Sequence, residues 1–203
     1  MTSERSNPTF TVYVGPMMGG KSSALLADVE RLTYQKRAVV LFKPSADGRY
    51  SRSVRDLGTE RYSETEVVSH SGMKHAAVAI NEAADVIKVL SDSDEPPDVV
   101  AVDEAFMVNG IADVLVWLFR TGMSVIVATI DLSATGKPFR EVERMLSYAT
   151  HVRKCPAVCA VCDQDAFYTY KKLGSSSDEI EVGGSELYEP RCWRHFPAFS
   201  NDV

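Results

Sequence analysis

The stretch that decides the fold is TFTVYVGPMMGGKS, residues 9–22, in which a β-branched and aromatic run leads directly into a glycine-rich turn. Residues 9–14 have the composition of a buried strand. Residues 15–22 fit the pattern G-x-x-x-x-G-K-[ST], and apolar residues at helical spacing follow. Because glycines let backbone N–H groups turn inward around phosphate oxygens, this strand–loop–helix order indicates a phosphate-binding loop.

The side chains of the loop favour a nucleoside triphosphate as the ligand. Lys21 can reach the β- and γ-phosphates, and the Ser22 hydroxyl can ligate Mg²⁺. A glycine-rich turn that merely precedes a helix is the alternative, but it does not explain Lys and Ser at these two positions. Asp103, which follows an apolar strand-like run, suits a second anchor for the metal.

Glu104 follows Asp103 directly and leaves three interpretations open. One carboxylate can hold the metal while the other accepts a proton from an attacking hydroxyl. Many ATPases use such an acidic pair to activate water instead. The third interpretation is a pair of solvated acids at a strand end. The presence of a phosphate-binding loop argues against this interpretation.

Strand-like and helix-like segments alternate along the first 150 residues. A second strand at 39–42 completes a βαβ unit, whose crossover helix implies a parallel sheet. We predict a polar surface loop at 44–62, strands at 99–102 and 124–130, and helices at 75–90, 111–121 and 139–148. The fold class predicted is therefore α/β, with a P-loop-type parallel sheet flanked by helices.

The composition changes after residue 150, where cysteines, a serine run and paired glycines appear. We predict a disordered arm at 1–9, a P-loop ATP-binding α/β domain at 10–150 and a small domain at 151–203. About fifty residues bury too little apolar surface to be stable alone, so the small domain needs a covalent or metal staple.

Composition and charge exclude several classes of protein. The chain has 203 residues, with 28 Asp+Glu against 22 Lys+Arg and a net charge of −6. This acidity argues against a nucleic-acid partner, and no apolar run approaches the ~20 residues that span a membrane. The start lacks the apolar stretch of a secretory signal, so we expect a cytoplasmic protein. In that reducing compartment, cysteines favour metal or catalytic roles.

Two pairs of residues have the spacing of metal ligands. Cys159-x-x-Cys162 and Cys192-x-x-His195 each place two soft ligands on one tight turn. Together they can complete a closed, structural tetrahedral zinc site. A redox-active pair at Cys159 and Cys162, or simple buried thiols, are the alternatives. Cys155 is left over and is interpreted as a free thiol.

The combined motifs resemble the type II thymidine kinase family from about residue 10 to residue 196. They occur in the order of that family: GPMMGGKS (15–22), DGRYS (47–51), VSHSG (68–72), DEA (103–105), GKPF (136–139) and YxxxCxxH (188–195). The resemblance implies transfer of the ATP γ-phosphoryl group to the 5′-hydroxyl of thymidine, giving dTMP. It implies ATP, Mg²⁺ and a structural Zn²⁺ as cofactors.

The resemblance also implies roles for individual residues. Glu104 would be the general base, Arg49 would steady the transferring phosphoryl group, and Lys21 would complete the catalytic set. The nucleotide would contact Gly15, Pro16, Met17, Met18, Gly19, Gly20, Lys21, Ser22, Asp47, Gly48, Arg49, Asp103, Glu104, Ala105 and Phe106. A lasso between the two ligand pairs would close over the nucleoside with Glu179, Ile180, Glu181, Val182, Gly183 and Tyr188.

The pocket for the base departs from the family pattern. Phe106 stands where the family has glutamine, Met107 where it has an aromatic residue, and Ala134 where it has a second aromatic residue. Met107 and Ala134 are assigned to substrate binding. Loss of two aromatic residues loosens stacking and enlarges the pocket, so a shifted preference for 5-substituted deoxyuridines is one hypothesis. An ordinary thymidine site that compensates locally is the other, and we favour it.

The other classes of function are a P-loop ATPase or regulatory switch, which would ignore nucleosides, and a zinc module that carries nucleotide structurally. The family resemblance implies a homotetramer, with a dimer as the alternative. It also implies feedback inhibition by dTTP, which would occupy the substrate site and extend its phosphates into the loop.

Overall fold

A computed structural model of the chain describes residues 7–45, 64–69, 72–172 and 183–199. Within these ranges the main strands are β1 (Phe10–Val14), β2 (Val39–Pro44), β3 (Glu64–Val68), β4 (Lys74–Ile80), β5 (Val99–Asp103), β6 (Ser124–Thr129) and β7 (His151–Lys154). The helices are α1 (Lys21–Tyr34), α2 (Ala83–Ser91), α3 (Ile111–Arg120) and α4 (Arg140–Tyr148).

These seven strands form one sheet in the order β3-β4-β2-β5-β6-β1-β7. All neighbouring pairs are parallel except β3 with β4. Helices α1 to α4 provide crossover connections, as parallel strands require. The predicted α/β class with a parallel, helix-flanked sheet is confirmed.

The two faces of the sheet carry separate apolar clusters. One cluster packs under α1 and includes Leu25, Val29, Leu41 and Ala101. The other packs under α2, α3 and α4 and draws its members from every second residue of the same strands, such as Phe42 and Val102. The central strands are therefore apolar on both faces, which is the composition of a sheet buried between helix layers.

The prediction of a helix over residues 75–90 is wrong in its first half. Residues 74–80 form β4, paired with β2 on one side and with β3 on the other. The alanines of this run allow either structure, and pairing on both edges outweighs their helix propensity. The helix begins at Ala83, where the side chains of Glu82 and Asp85 form a reciprocal capping box.

Other predicted elements occur with small shifts at their ends, as for the strand at 99–102 and the helix at 111–121. The sheet continues beyond residue 150, because β7 pairs with β1 from Thr11↔His151 to Val14↔Lys154. The division of the chain at residue 150 stays a prediction. Of the loop predicted at 44–62, Pro44 ends β2, and residues 46–63 lie outside the described ranges.

The region after β7 contains two small antiparallel pairs. β8 (Ala157–Val158) pairs with β9 (Asp165–Ala166), and β10 (Tyr168–Lys171) pairs with β11 (Tyr188–Arg191). Tyr188 joins the apolar cluster under α2, α3 and α4, so this region packs against the main sheet. Among the described residues, none of the helices has the length and apolar character needed to cross a membrane.

A carboxylate from α4 fixes the start of α3. The two oxygens of Glu141 accept hydrogen bonds from the backbone N–H groups of Gly110 (3.0 Å) and Ala112 (2.9 Å). Gly110, at the N-cap position, brings no side chain of its own. Glu141 therefore satisfies donors that the first turn of a helix leaves open.

We expect Glu141→Ala to destabilise the fold by about 1–2 kcal/mol, because it removes this capping. The measurement is the midpoint of urea unfolding. Glu143→Ala, an exposed glutamate of the same helix, is the matched control and should shift the free energy of unfolding by less than about 0.5 kcal/mol. Equal effects of the two substitutions would contradict the capping role.

Candidate active site and candidate metal centre

In the loop between β1 and α1, glycines occupy positions where a side chain would be strained or would clash. Gly20, directly before α1, has φ +74°, in the left-handed region that favours glycine. A Cβ atom on Gly19 would lie 2.7 Å from the carbonyl oxygen of Cys155, and one on Gly15 would collide with the same oxygen. The glycines of the motif thus allow close approach of the chain after β7.

The loop is held from two sides. The backbone N–H of Cys155 donates to the carbonyl oxygen of Val14 at 2.7 Å, which continues the pairing of β7 with β1. The backbone N–H of Met17 donates to the hydroxyl of Thr169 in β10 at 3.0 Å, in a buried position. The region that carries the cysteines is therefore in direct contact with the phosphate-binding loop.

Lys21 begins α1 and is 6% exposed. Its Nζ donates to the carbonyl oxygen of Pro16 at 2.6 Å, across the turn of the loop. Burial lowers the pKa of the Lys21 ammonium, while the charges of Glu104, Asp103 and Asp131 act to raise it. A lysine in this position offers a cation to phosphate oxygens that enter the loop.

A hydrogen bond connects Ser22, in the first turn of α1, to Asp103, at the end of β5. The Ser22 hydroxyl donates to Oδ1 of Asp103 at 2.9 Å, although 81 positions separate them in the chain. Asp103 ends β5 and is 5% exposed. The hydroxyl and carboxylate are hard oxygen ligands of the type that Mg²⁺ prefers, and the contact brings them to one point.

Glu104 follows with an unusual backbone. It has φ 51° and ψ 40°, the left-handed region that few residues other than glycine adopt, and it is 9% exposed. Such strain costs of order 1 kcal/mol and is concentrated at functional sites. The short 3-10 turn Ala105–Met107 then leads the chain away from the strand end.

A cavity of about 290 Å³ lies at this edge of the sheet. Seven of the predicted site residues line it: Met17, Met18, Gly20, Lys21, Ser22, Asp103 and Glu104. It is also lined by residues that the sequence analysis did not assign: Ser23, Lys43, Val68, Ser69, Gly184, Ser185 and Glu186. Lys43 follows an apolar strand run just as Asp103 does, so the same signal was available for it.

Several predicted site residues lie elsewhere. Phe106 packs against Phe139, with ring centroids 4.8 Å apart and the rings tilted by 42°, and its backbone N–H donates to the hydroxyl of Thr129. Ala134 packs against the cluster under α2, α3 and α4. In the part of the chain that the structure describes, neither residue lines the cavity, and the same is true of Met107 and Tyr188. Asp47, Gly48, Arg49, Glu179, Ile180, Glu181 and Val182 lie outside the described residues.

The two predicted ligand pairs converge on one point. The ligand atoms of Cys159, Cys162, Cys192 and His195 all lie within 4.8 Å of one another. Sγ of Cys162 is 3.7 Å from Sγ of Cys192, and Sγ of Cys192 is 3.2 Å from Nδ1 of His195. Tetrahedral thiolates about 2.3 Å from zinc are about 3.8 Å apart, so this donor set fits zinc.

The surroundings of Cys159 favour its thiolate form. Burial raises the pKa of this thiol, but hydrogen bonds from the backbone N–H groups of Cys192, Val161 and Cys162, and one with His195, lower it to about 6. Thiolate is the form that binds metal. Cys155 is not part of this cluster, and burial raises the pKa of its thiol, which agrees with its prediction as a spare cysteine.

The fold and the cavity define the class: an α/β protein in which a glycine-rich loop, a buried lysine and strand-end carboxylates meet at one cavity, an arrangement suited to phosphate groups. The family model described as thymidine kinase matches residues 8–196. The chain therefore belongs to the thymidine kinase family, a family of kinases, and the resemblance drawn from its motifs is confirmed.

Removal of one thiolate should abolish high-affinity zinc binding. We expect the purified chain to hold one zinc, Cys192→Ser to hold much less than one, and Cys155→Ser to keep it. The measurement is zinc per chain by atomic emission spectroscopy, after dialysis against a weak chelator. Equal zinc loss in the two variants, or none in either, would contradict the assignment of the ligands.

Proposed function

We propose that this chain is a thymidine kinase that transfers the γ-phosphoryl group of ATP to the 5′-hydroxyl of thymidine, releasing ADP and dTMP. The observation that carries the proposal is the cavity in which the loop residues Lys21 and Ser22 meet Asp103 and Glu104. Membership of the thymidine kinase family supports thymidine as the acceptor.

The donor would be bound at the loop. The backbone N–H groups of the loop and the start of α1 face the phosphates, and Lys21 supplies a cation that needs only to leave the carbonyl of Pro16. Ser22 and Asp103 would hold Mg²⁺, which would neutralise the charge that develops on the phosphates during transfer.

Glu104 would act on the acceptor. As the 5′-oxygen of thymidine forms its bond to the γ-phosphorus, the bond from that phosphorus to the β–γ bridging oxygen breaks. The proton of the 5′-hydroxyl passes to the carboxylate of Glu104, and ADP leaves with the electron pair. The left-handed backbone conformation of Glu104 directs its side chain from the wall of the cavity.

The metal centre would support the part of the cavity wall formed by residues 184–186. β11 leads directly into Cys192, and Gly184, Ser185 and Glu186 at the wall lie just before β11. A zinc ion held by the four ligands would fix this segment while taking no part in the chemistry. The lasso residues Glu179–Val182 and the arginine Arg49, which we assign to nucleoside and phosphoryl contacts, remain part of the proposal.

Three further properties belong to the proposal because the family implies them. They are a cytoplasmic location, a homotetramer or dimer, and feedback inhibition by dTTP. Inhibition of this kind suits the site, since the phosphates of dTTP would compete for the backbone amides and the cation of the loop.

The proposal predicts nucleoside-dependent release of ADP. With ATP and Mg²⁺, the chain should release ADP when thymidine is supplied and very little without it. Glu104→Gln should lower kcat by about 10²- to 10⁴-fold, the range for loss of a general base, while ATP affinity changes little. Glu143→Gln, an exposed glutamate, is the control.

ADP release that does not depend on any nucleoside would identify an ATPase instead and would overturn the proposal. Full activity of Glu104→Gln would leave the kinase assignment standing and remove Glu104 as its base. A panel of 5-substituted deoxyuridines in the same assay distinguishes an ordinary thymidine site from a shifted preference.

A further inference from the structure

A second lysine faces the cavity beside the phosphate-binding loop. Lys43 is 2% exposed and lines the same cavity as Lys21, Ser22, Asp103 and Glu104. Lysine is rarely buried to this extent unless its charge is paired. Burying an ammonium group is costly, and an apolar residue would fill a purely structural position in β2 at lower cost.

The register of the sheet places Lys43 next to Asp103. β2 pairs in parallel with β5 up to Phe42↔Val102, so the next residue of each strand, Lys43 and Asp103, lie side by side. Leu41 and Ala101 belong to the cluster under α1. Since side chains alternate along a strand, Lys43 and Asp103 point to that same face, where α1 begins.

The order of strands gives the direction along the bound triphosphate. From the loop after β1, the sheet runs through β6 to β5 and then to β2. Lys43 is therefore one strand, about 5 Å, beyond Asp103 on the side away from the loop. In the proposed function the loop would hold the β-phosphate, and Ser22 and Asp103 would hold the metal that neutralises charge toward the γ-phosphate. A cation farther along this line meets the γ-phosphoryl group.

We propose that Lys43 is a catalytic residue that binds an oxygen of the γ-phosphoryl group and stabilises the charge on it during transfer. This assignment rests on the proposed function. Lys21 serves the loop end of the triphosphate, and Lys43 serves the end that is transferred. Fixed cations aimed at the transferring group are a main source of rate enhancement in phosphoryl transfer.

The test compares nucleotides that differ in the γ-phosphate, in the absence of nucleoside. Affinities for ADP and for the β,γ-imido analogue of ATP are measured by calorimetry, with Mg²⁺, for the wild type and for Lys43→Met. We expect this variant to lose about 10- to 100-fold in affinity for the ATP analogue, the worth of a hydrogen bond to a charged group. Its affinity for ADP should stay within about twofold.

Two variants make this test specific. Lys43→Arg keeps the charge and should restore most of the preference for the ATP analogue over ADP. Lys88→Met removes an exposed lysine of α2, a helix that packs on the opposite face of the sheet. This substitution should change neither affinity. With thymidine and ATP, Lys43→Met should also lower kcat by about 10²- to 10³-fold.

An equal loss of affinity for both nucleotides, or no loss for either, would overturn the assignment of Lys43. ADP binding shows that the variant has folded, so misfolding cannot imitate the expected result. If the wild type phosphorylates thymidine and Lys43→Met does so equally well, the proposal for Lys43 fails while the proposed function stands. A wild type that binds neither nucleotide contradicts both.

Discussion

The hydrogen bond between the Ser22 hydroxyl and the Asp103 carboxylate is the interaction on which the site depends. It joins the first turn of α1 to the end of β5, across a sheet whose strands arrive from distant parts of the chain. Around it lie Lys21 and Glu104, so four polar side chains are gathered at one largely buried edge. Gathering charges there is costly without a ligand, which is why the arrangement points to function.

The phosphate-binding loop is not an independent unit. The carbonyl oxygen of Cys155 packs against Gly15 and Gly19, and Thr169 accepts the N–H of Met17. Both contacts come from the chain that follows the sheet and carries the metal ligands. The phosphate-binding loop and the candidate metal centre therefore share a boundary.

The sequence predicts the site residues that lie in contiguous motifs. It misses those that only the pairing of strands brings to the cavity. The loop at 15–22, the pair Asp103-Glu104 and the four candidate metal ligands each have a local pattern set by their chemistry. Glu186 has none, because it reaches the cavity through the return of the chain before β11. Lys43 follows an apolar run as Asp103 does, but only the register of β2 with β5 places the two side by side at the cavity. The helix error at 75–80 has a similar origin, since pairing of β4 on both edges decides a run whose own propensities are ambiguous.

The proposed kinase activity depends on a metal-assisted triphosphate site that Ser22 and Asp103 would form, and its most direct test is the Mg²⁺ dependence of ATP affinity. For the wild type, Mg²⁺ should strengthen binding of the β,γ-imido analogue of ATP by about tenfold or more. In Asp103→Asn, which keeps the size of the side chain and removes its charge, that gain should disappear. A gain of equal size in both proteins would contradict the account, because the metal would then be held elsewhere.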